Sequence, residues 1–105
     1  MIDIDGFKFI NDRFGHPAGD QVIATVGKTI LAALRGADLA ARYGREEFAV
    51  LLPGTTVEDA FSVAERIRSR IAGLSFIFSD QGSNVTTSLG VANRCGKDNA
   101  ASESC

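Results

Sequence analysis

The densest chemistry in the sequence lies between Asp38 and Pro53, which read DLAARYGREEFAVLLP. Glu46 and Glu47 sit side by side just after Gly44-Arg45. Two adjacent carboxylates are costly unless something uses their charge, although such pairs more often end as a solvated hairpin tip. A second acidic group opens the chain, where Asp3 and Asp5 alternate with Ile2 and Ile4. Lys8 follows, near the start of a helical pattern. There it adds positive charge to a positive dipole end, which is unfavourable for the helix but useful for holding phosphate. Asn11 shares a face with Lys8. Asp20, Arg35 and Asp38 are further polar residues near predicted element ends. Each also has an ordinary structural explanation: helix-dipole compensation for Asp20, and a helix C-terminus for Arg35 and Asp38.

The elements that must position these groups follow from periodicity. Alternation predicts a short strand over residues 1–5, with its two carboxylates on one face. Phe7, Ile10 and Phe14 mark one face of a helix that Asp5 or Gly6 could cap. Residues 15–19, GHPAG, predict a turn holding His16 in a structural role, and Asp20 then opens a helix to about Leu34. Val22, Val26, Ile30 and Leu34 form its apolar stripe, widened by Ile23 and Leu31. Gly27 within that stripe implies close approach of another element. Gly36 stands where a C-cap glycine is expected. Two strands then flank Gly44-Arg45 as a two-residue type II′ hairpin, with positive φ at Gly44. Starting the second strand at Glu46 sends Glu46 and Phe48 to one face and Glu47 to the other. A capping box, Thr55 with Glu58 or Thr56 with Asp59, opens a helix to about Ala72 with Ala60, Val63, Ala64, Ile67 and Ile71 inward. Residues 75–79 and 85–92 read as strands around a loop at 80–84, and residues 93–105 read as a disordered tail. The order β-α-α-β-β-α-β-β predicts an α+β fold: one mainly antiparallel central sheet flanked by helices.

Composition bounds the class. The 105 residues allow one domain and one modest core. A net charge of −2 argues against non-specific nucleic-acid binding. No apolar run approaches the roughly 20 residues of a membrane span, and the first residues lack a signal-peptide pattern, so the expected location is the cytoplasm. Cys95 and Cys105 are expected to be free thiols, and no Cys/His cluster has zinc-ligand spacing.

Several segments resemble one family in order and spacing. GREEF, residues 44–48, is similar to the GG(D/E)EF signature of diguanylate cyclases. DIDGFKFIND at 3–12, FGHPAGD at 14–20, RYGREEF at 42–48 and VTTSLGVA at 85–92 resemble the family's other motifs, so the likeness covers about residues 1–92. The family arrangement is a nucleotide-cyclase or ferredoxin-like βααββαβ fold with the signature on a hairpin. The resemblance implies condensation of two GTP into cyclic di-GMP and pyrophosphate by a homodimer, a step of second-messenger signalling.

Position by position, it implies that Asp3, the Ile4 carbonyl and Glu46 hold Mg²⁺ or Mn²⁺, with Glu46 also the catalytic base. Lys8 would stabilise phosphate charge, Gly6 and Phe7 would cradle phosphate with backbone N–H groups, and Gly44 would line the nucleotide. Asn11 and Asp20 would recognise guanine. Arg35-x-x-Asp38 matches the family's inhibitory product site. Arg45 replaces the second signature glycine and adds bulk and charge where the nucleotide approaches. The likeness also begins inside the family's first strand and ends before its last helix and basic segment. The expectation is therefore a partial domain, shortened at both ends, with apolar sheet surface uncovered and a sensory or dimerisation domain supplied elsewhere. The alternative implied is a catalytically inactive module that binds cyclic di-GMP at Arg35 and Asp38, or GTP without turnover.

Overall fold

The computed structural model describes residues 1–78 and 81–92. The tail expected at 93–105, with both cysteines, lies outside the described residues.

The chain runs β1 (Ile2–Ile4), α1 (Phe7–Phe14), α2 (His16–Ala32), β2 (Leu39–Arg42), β3 (Glu47–Leu51), α3 (Val57–Ala72), β4 (Phe76–Phe78), β5 (Gln81–Ser83) and β6 (Thr87–Leu89). A four-stranded antiparallel sheet has the order β2-β3-β1-β6, and β4 and β5 form a separate two-stranded sheet. The fold is the expected α+β arrangement. The first strand of the sequence is thus interior to its sheet. Its Ile2 and Ile4 point inward and are buried with Phe48 of β3. Against them pack Phe7 and Ile10 of α1, Val22, Val26 and Ile30 of α2, and Val63, Ile67 and Ile71 of α3.

Helix α3 forms as its pattern predicts. Of the two capping boxes, Thr56 is the cap: its hydroxyl accepts from the Asp59 amide at 3.1 Å. Gly27 of α2 faces the Phe48 ring, and a Cβ added there would lie 3.5 Å from it, an ordinary contact.

Several local expectations are corrected. Residues 15–19 are not a turn of their own, because α2 already begins at His16. Gly15 alone, at φ 91°, makes the corner, and Pro17 sits in the first turn where a missing N–H is harmless. Asp20 therefore lies inside the helix rather than at its start. Leu31 is 61% exposed and does not widen the buried stripe. Helix α2 ends at Ala32 with Ala33 as its cap in right-handed conformation, so Gly36 is not a C-cap. Gly44 has no positive φ; among the described residues Gly6, Gly15 and Gly54 do. The hairpin loop is wider than two residues, and β3 starts at Glu47 instead of Glu46. Finally, Gln81–Ser83, expected as loop, pairs with β4.

Between α3 and the sheet lies an apolar groove of about 860 Å³, lined by Ile2, Val50, Leu52, Val63, Ile67 and Leu89 among others. On the other face of β2 and β3, Leu39 and Leu51 are register partners, each 61% exposed.

The Gly27–Phe48 approach sets a sign. Gly27→Ala gains helix propensity without a clash and should stabilise by about 0.5–1 kcal/mol. Gly27→Leu drives a side chain into Phe48 and should cost about 1–3 kcal/mol. Urea unfolding of both variants, at unchanged m, checks the pair.

Candidate functional site

The register of β1 decides which acidic groups meet. Asp3 stands opposite Glu47 on β3 and opposite Ser88 on β6. Cross-strand partners on one face bring their side chains together. The Asp3 side chain, by a hydrogen bond first and by its charge second, raises the Glu47 carboxyl above its ordinary value of 4.5. Loss of hydration and the charge of Glu46 add in the same direction. Like charge so close disfavours the ionised form, and a positive charge placed between the two would relieve it. Asp5, predicted to project with Asp3, is occupied elsewhere. It accepts from Thr86 Oγ1 at 2.9 Å and from Ser88 Oγ at 2.7 Å, which ties β1 to β6.

Glu46 lies in the bend before β3. Its carbonyl accepts from the Ile4 amide at 3.0 Å. Among the described residues the return bond, from the Glu46 amide to the Ile4 carbonyl, is not made. That carbonyl therefore keeps a lone pair to offer. The family resemblance implies Asp3 with Glu46. The fold sets Glu47 beside Asp3 and brings Glu46 near enough to act through its charge.

Gly44 makes room for this. A Cβ at Gly44 would collide with Glu47 Oε1. The Tyr43 and Gly44 amides both donate to the Glu47 carbonyl, at 2.8 and 3.3 Å. Arg42 completes the loop: its Nε donates to the Gly44 carbonyl at 3.1 Å and its Nη2 to the Arg45 carbonyl at 2.7 Å. Arg42 was missed from sequence, where an arginine two positions before a loop glycine was the available signal.

At the other end of β1, Gly6 takes the left-handed conformation, φ 69°, and caps α1 without a side-chain bond. The first turn of α1 holds no acidic residue and carries exposed Lys8. Its leading N–H groups, from Phe7 onward, lack helical partners and leave a positive end next to the acidic strand.

Asn11 is placed by a void. Its Oδ1 occupies the position a Cβ on Gly19 would take, and the Phe7 ring lies 3.2 Å from that same position. Asn11 thereby sits alongside the residue preceding Asp20, which is exposed. His16 is exposed at the start of α2.

Arg35 and Asp38 form a closed turn on the connection from α2 to β2. The Arg35 amide donates to Asp38 Oδ2 at 2.9 Å, and the Asp38 amide donates to the Arg35 carbonyl at 2.9 Å. The Asp38 side chain is 4% exposed and that of Arg35 is 70% exposed. The Arg35 Nε lies 3.9 Å from Asp38 Oδ2, so the buried carboxylate and the largely exposed guanidinium also form an ion pair.

Oxygen donors suit Mg²⁺ or Mn²⁺, which keep several waters and take one or two carboxylates plus substrate phosphates. Asp3, Glu47 and the Ile4 carbonyl match that chemistry, although no cluster of three acidic, His or Cys ligands occurs among the described residues.

A model of the diguanylate cyclase GGDEF domain matches residues 1–104. The chain belongs to the GGDEF family. Diguanylate cyclase A of Treponema denticola is 51% identical over 92 residues, 88% of this chain and 25% of that protein. The active GGEEF domain of a diguanylate cyclase from Vibrio cholerae superposes with a TM-score of 0.74 at 41% identity, covering 82% of this chain and 54% of that one. The GGDEF domain of DgcB from Caulobacter crescentus, solved with c-di-GMP, gives a TM-score of 0.79 at 34% identity, covering 83% and 53%. The chain spans about a quarter of the length of the curated relatives it matches.

Two predictions follow from the geometry of this GGDEF domain. A carboxyl raised in the folded state binds more protons folded than unfolded across the interval above 4.5, so stability falls as pH rises through it. In metal-free buffer, Glu47→Gln should therefore unfold at higher temperature than the parent at neutral pH. The gap should close as pH drops below the ordinary glutamate value, read by thermal unfolding across pH. Gly19→Ala should reverse the usual helix rule: instead of stabilising it should cost about 1–3 kcal/mol, because Asn11 is displaced. Combining it with Asn11→Ala should recover most of that loss in a double-mutant cycle.

Proposed function

We propose that this GGDEF domain is a diguanylate cyclase, condensing two GTP into cyclic di-GMP with Mg²⁺ or Mn²⁺. The observation that carries the reading is the Asp3–Glu47 pair: two carboxylates forced together across adjacent strands, beside an unbonded carbonyl. Asp3, the Ile4 carbonyl and Glu46 would hold the ion, with Glu47 on the neighbouring strand able to add an oxygen. When bound, such an ion would supply positive charge for the phosphates. Lys8 and the N–H groups after Gly6 and Phe7 take the phosphate tail, and Gly44 leaves space for the nucleotide. Asn11 and Asp20 read the guanine edge, the carboxylate accepting from N1–H and the amine.

In each half-reaction the 3′-hydroxyl of one GTP attacks the α-phosphorus of the other. A new P–O bond forms, the bond to the bridging oxygen breaks, and pyrophosphate leaves. Glu46 takes the hydroxyl proton. Each domain presents one GTP, so two copies must face each other, and a sensory or dimerising domain would bring them together. Its substrate places the domain in the cytoplasm.

A second reading has its own support. Arg45 is exposed beside Glu46 at the mouth of the loop, and the Arg35 guanidinium, paired with Asp38 through Nε, is otherwise largely exposed. These favour a module that binds cyclic di-GMP through Arg35, with Asp38 holding the turn, and does not turn over GTP.

GTP turnover with Mg²⁺, scored as cyclic di-GMP formed, separates the two. The cyclase reading expects product, lost by about a hundredfold or more in Glu46→Gln, as is usual for a missing general base. It also expects Arg45→Gly to raise the rate. Product binding without turnover, abolished in Arg35→Ala, would establish the second reading in its place.

A further inference from the structure

We propose that Arg42 is a positioning residue for the acidic loop, holding Glu46 and Glu47 toward Asp3 for a divalent cation. The loop between β2 and β3 is not fixed by glycine torsion, since Gly44 has no positive φ. It is fixed by side chain and backbone from both sides. Arg42 donates Nε to the Gly44 carbonyl and Nη2 to the Arg45 carbonyl. The Glu47 carbonyl gathers the Tyr43 and Gly44 amides from within the loop. Two consecutive peptide planes, Gly44–Arg45 and Arg45–Glu46, are therefore oriented by one rigid guanidinium. The next carbonyl, that of Glu46, is held by the Ile4 amide. Glu46 is thus gripped at the peptide before it and the peptide after it. With the turn set this way, the Glu46 amide does not close onto the Ile4 carbonyl, and that oxygen stays available.

The guanidinium could instead matter only as a positive charge near three carboxylates. The two roles predict opposite signs. Charge alone means that Arg42 repels a cation, so Arg42→Ala would bind Mn²⁺ more tightly and Arg42→Lys would be unchanged. Positioning means that both variants bind more weakly, because an ammonium is a point donor and cannot bridge two carbonyls in a fixed fork.

The test is calorimetric titration of the protein with Mn²⁺ alone, beside amide hydrogen exchange at residues 44–47 in metal-free buffer. Thermal unfolding checks that each variant is folded. Expected are a loss of Mn²⁺ affinity of about tenfold in Arg42→Ala, a smaller loss in Arg42→Lys, and faster exchange in the loop with the remaining strands unchanged. Equal or tighter Mn²⁺ binding in Arg42→Ala, unchanged loop exchange, or no Mn²⁺ binding by the parent protein overturns the proposal. The role rests on the cyclase reading only for turnover. If the affinity ranking holds while no variant converts GTP, the clamp stands and the cyclase reading falls. If both hold, kcat should fall in Arg42→Ala with little change in the KM for GTP.

Discussion

The pairing of β1 between β3 and β6 is the constraint on which the rest depends. A three-residue strand has few bonds of its own, and its place inside the sheet supplies them on both edges. That placement buries Ile2 and Ile4 under the helices and, by alternation, turns Asp3 to the opposite face. The hydrophobic gain and the electrostatic strain are thus the same event. The residues cannot slip by one without exchanging isoleucine for aspartate in the core. The raised Glu47 carboxyl is the local consequence of a register that the core enforces.

Around that register, space is made by omission. Gly19 leaves a gap that Asn11 fills, and Gly44 leaves one that Glu47 fills. In both cases the missing methyl belongs to one element and the polar side chain to another position brought against it. Gly27 looks similar in sequence, yet its neighbour is the Phe48 ring at ordinary contact distance. The first two glycines serve polar groups, while the third serves packing. Gly6 and Gly15 do something different again, taking left-handed torsions that start α1 and turn the chain into α2.

Much of this was legible from residues alone. The stripes of α2 and α3 are long enough for period to decide, and Val22, Val26, Ile30, Ile67 and Ile71 are buried as their spacing requires. The signature hairpin and the acidic first strand were also readable. Three things were not. Gly44 was read as a torsional glycine, but the loop is shaped by the Arg42 fork, a side-chain effect with no periodic trace. The meeting of Asp3 with Glu47 was not readable, because it depends on the register of β1 against β3, two strands far apart in sequence. The β4–β5 pair was hidden because Gln81-Gly82-Ser83 has turn composition, and only pairing with Phe76–Phe78 makes it a strand. Each miss concerns a contact that forms only once distant parts of the backbone are in place.

Arg45 gains its meaning from the same corner. Its carbonyl is part of the clamp, so the backbone uses this position whatever side chain it bears. Its guanidinium is exposed and makes no ion pair among the described residues, although Glu46 is its neighbour. Asp3, Glu46 and Glu47 face Arg42 and Arg45, leaving one net negative charge at the loop. A divalent cation entering there would invert the sign, and the corner would then attract phosphate together with Lys8 and the open end of α1. In a loop with glycine at this position the net charge would be more negative, and the cation would be held more strongly before any nucleotide arrived. Arginine in the signature therefore brings positive charge to this corner, while the placement of the carboxylates rests on the register and on Arg42.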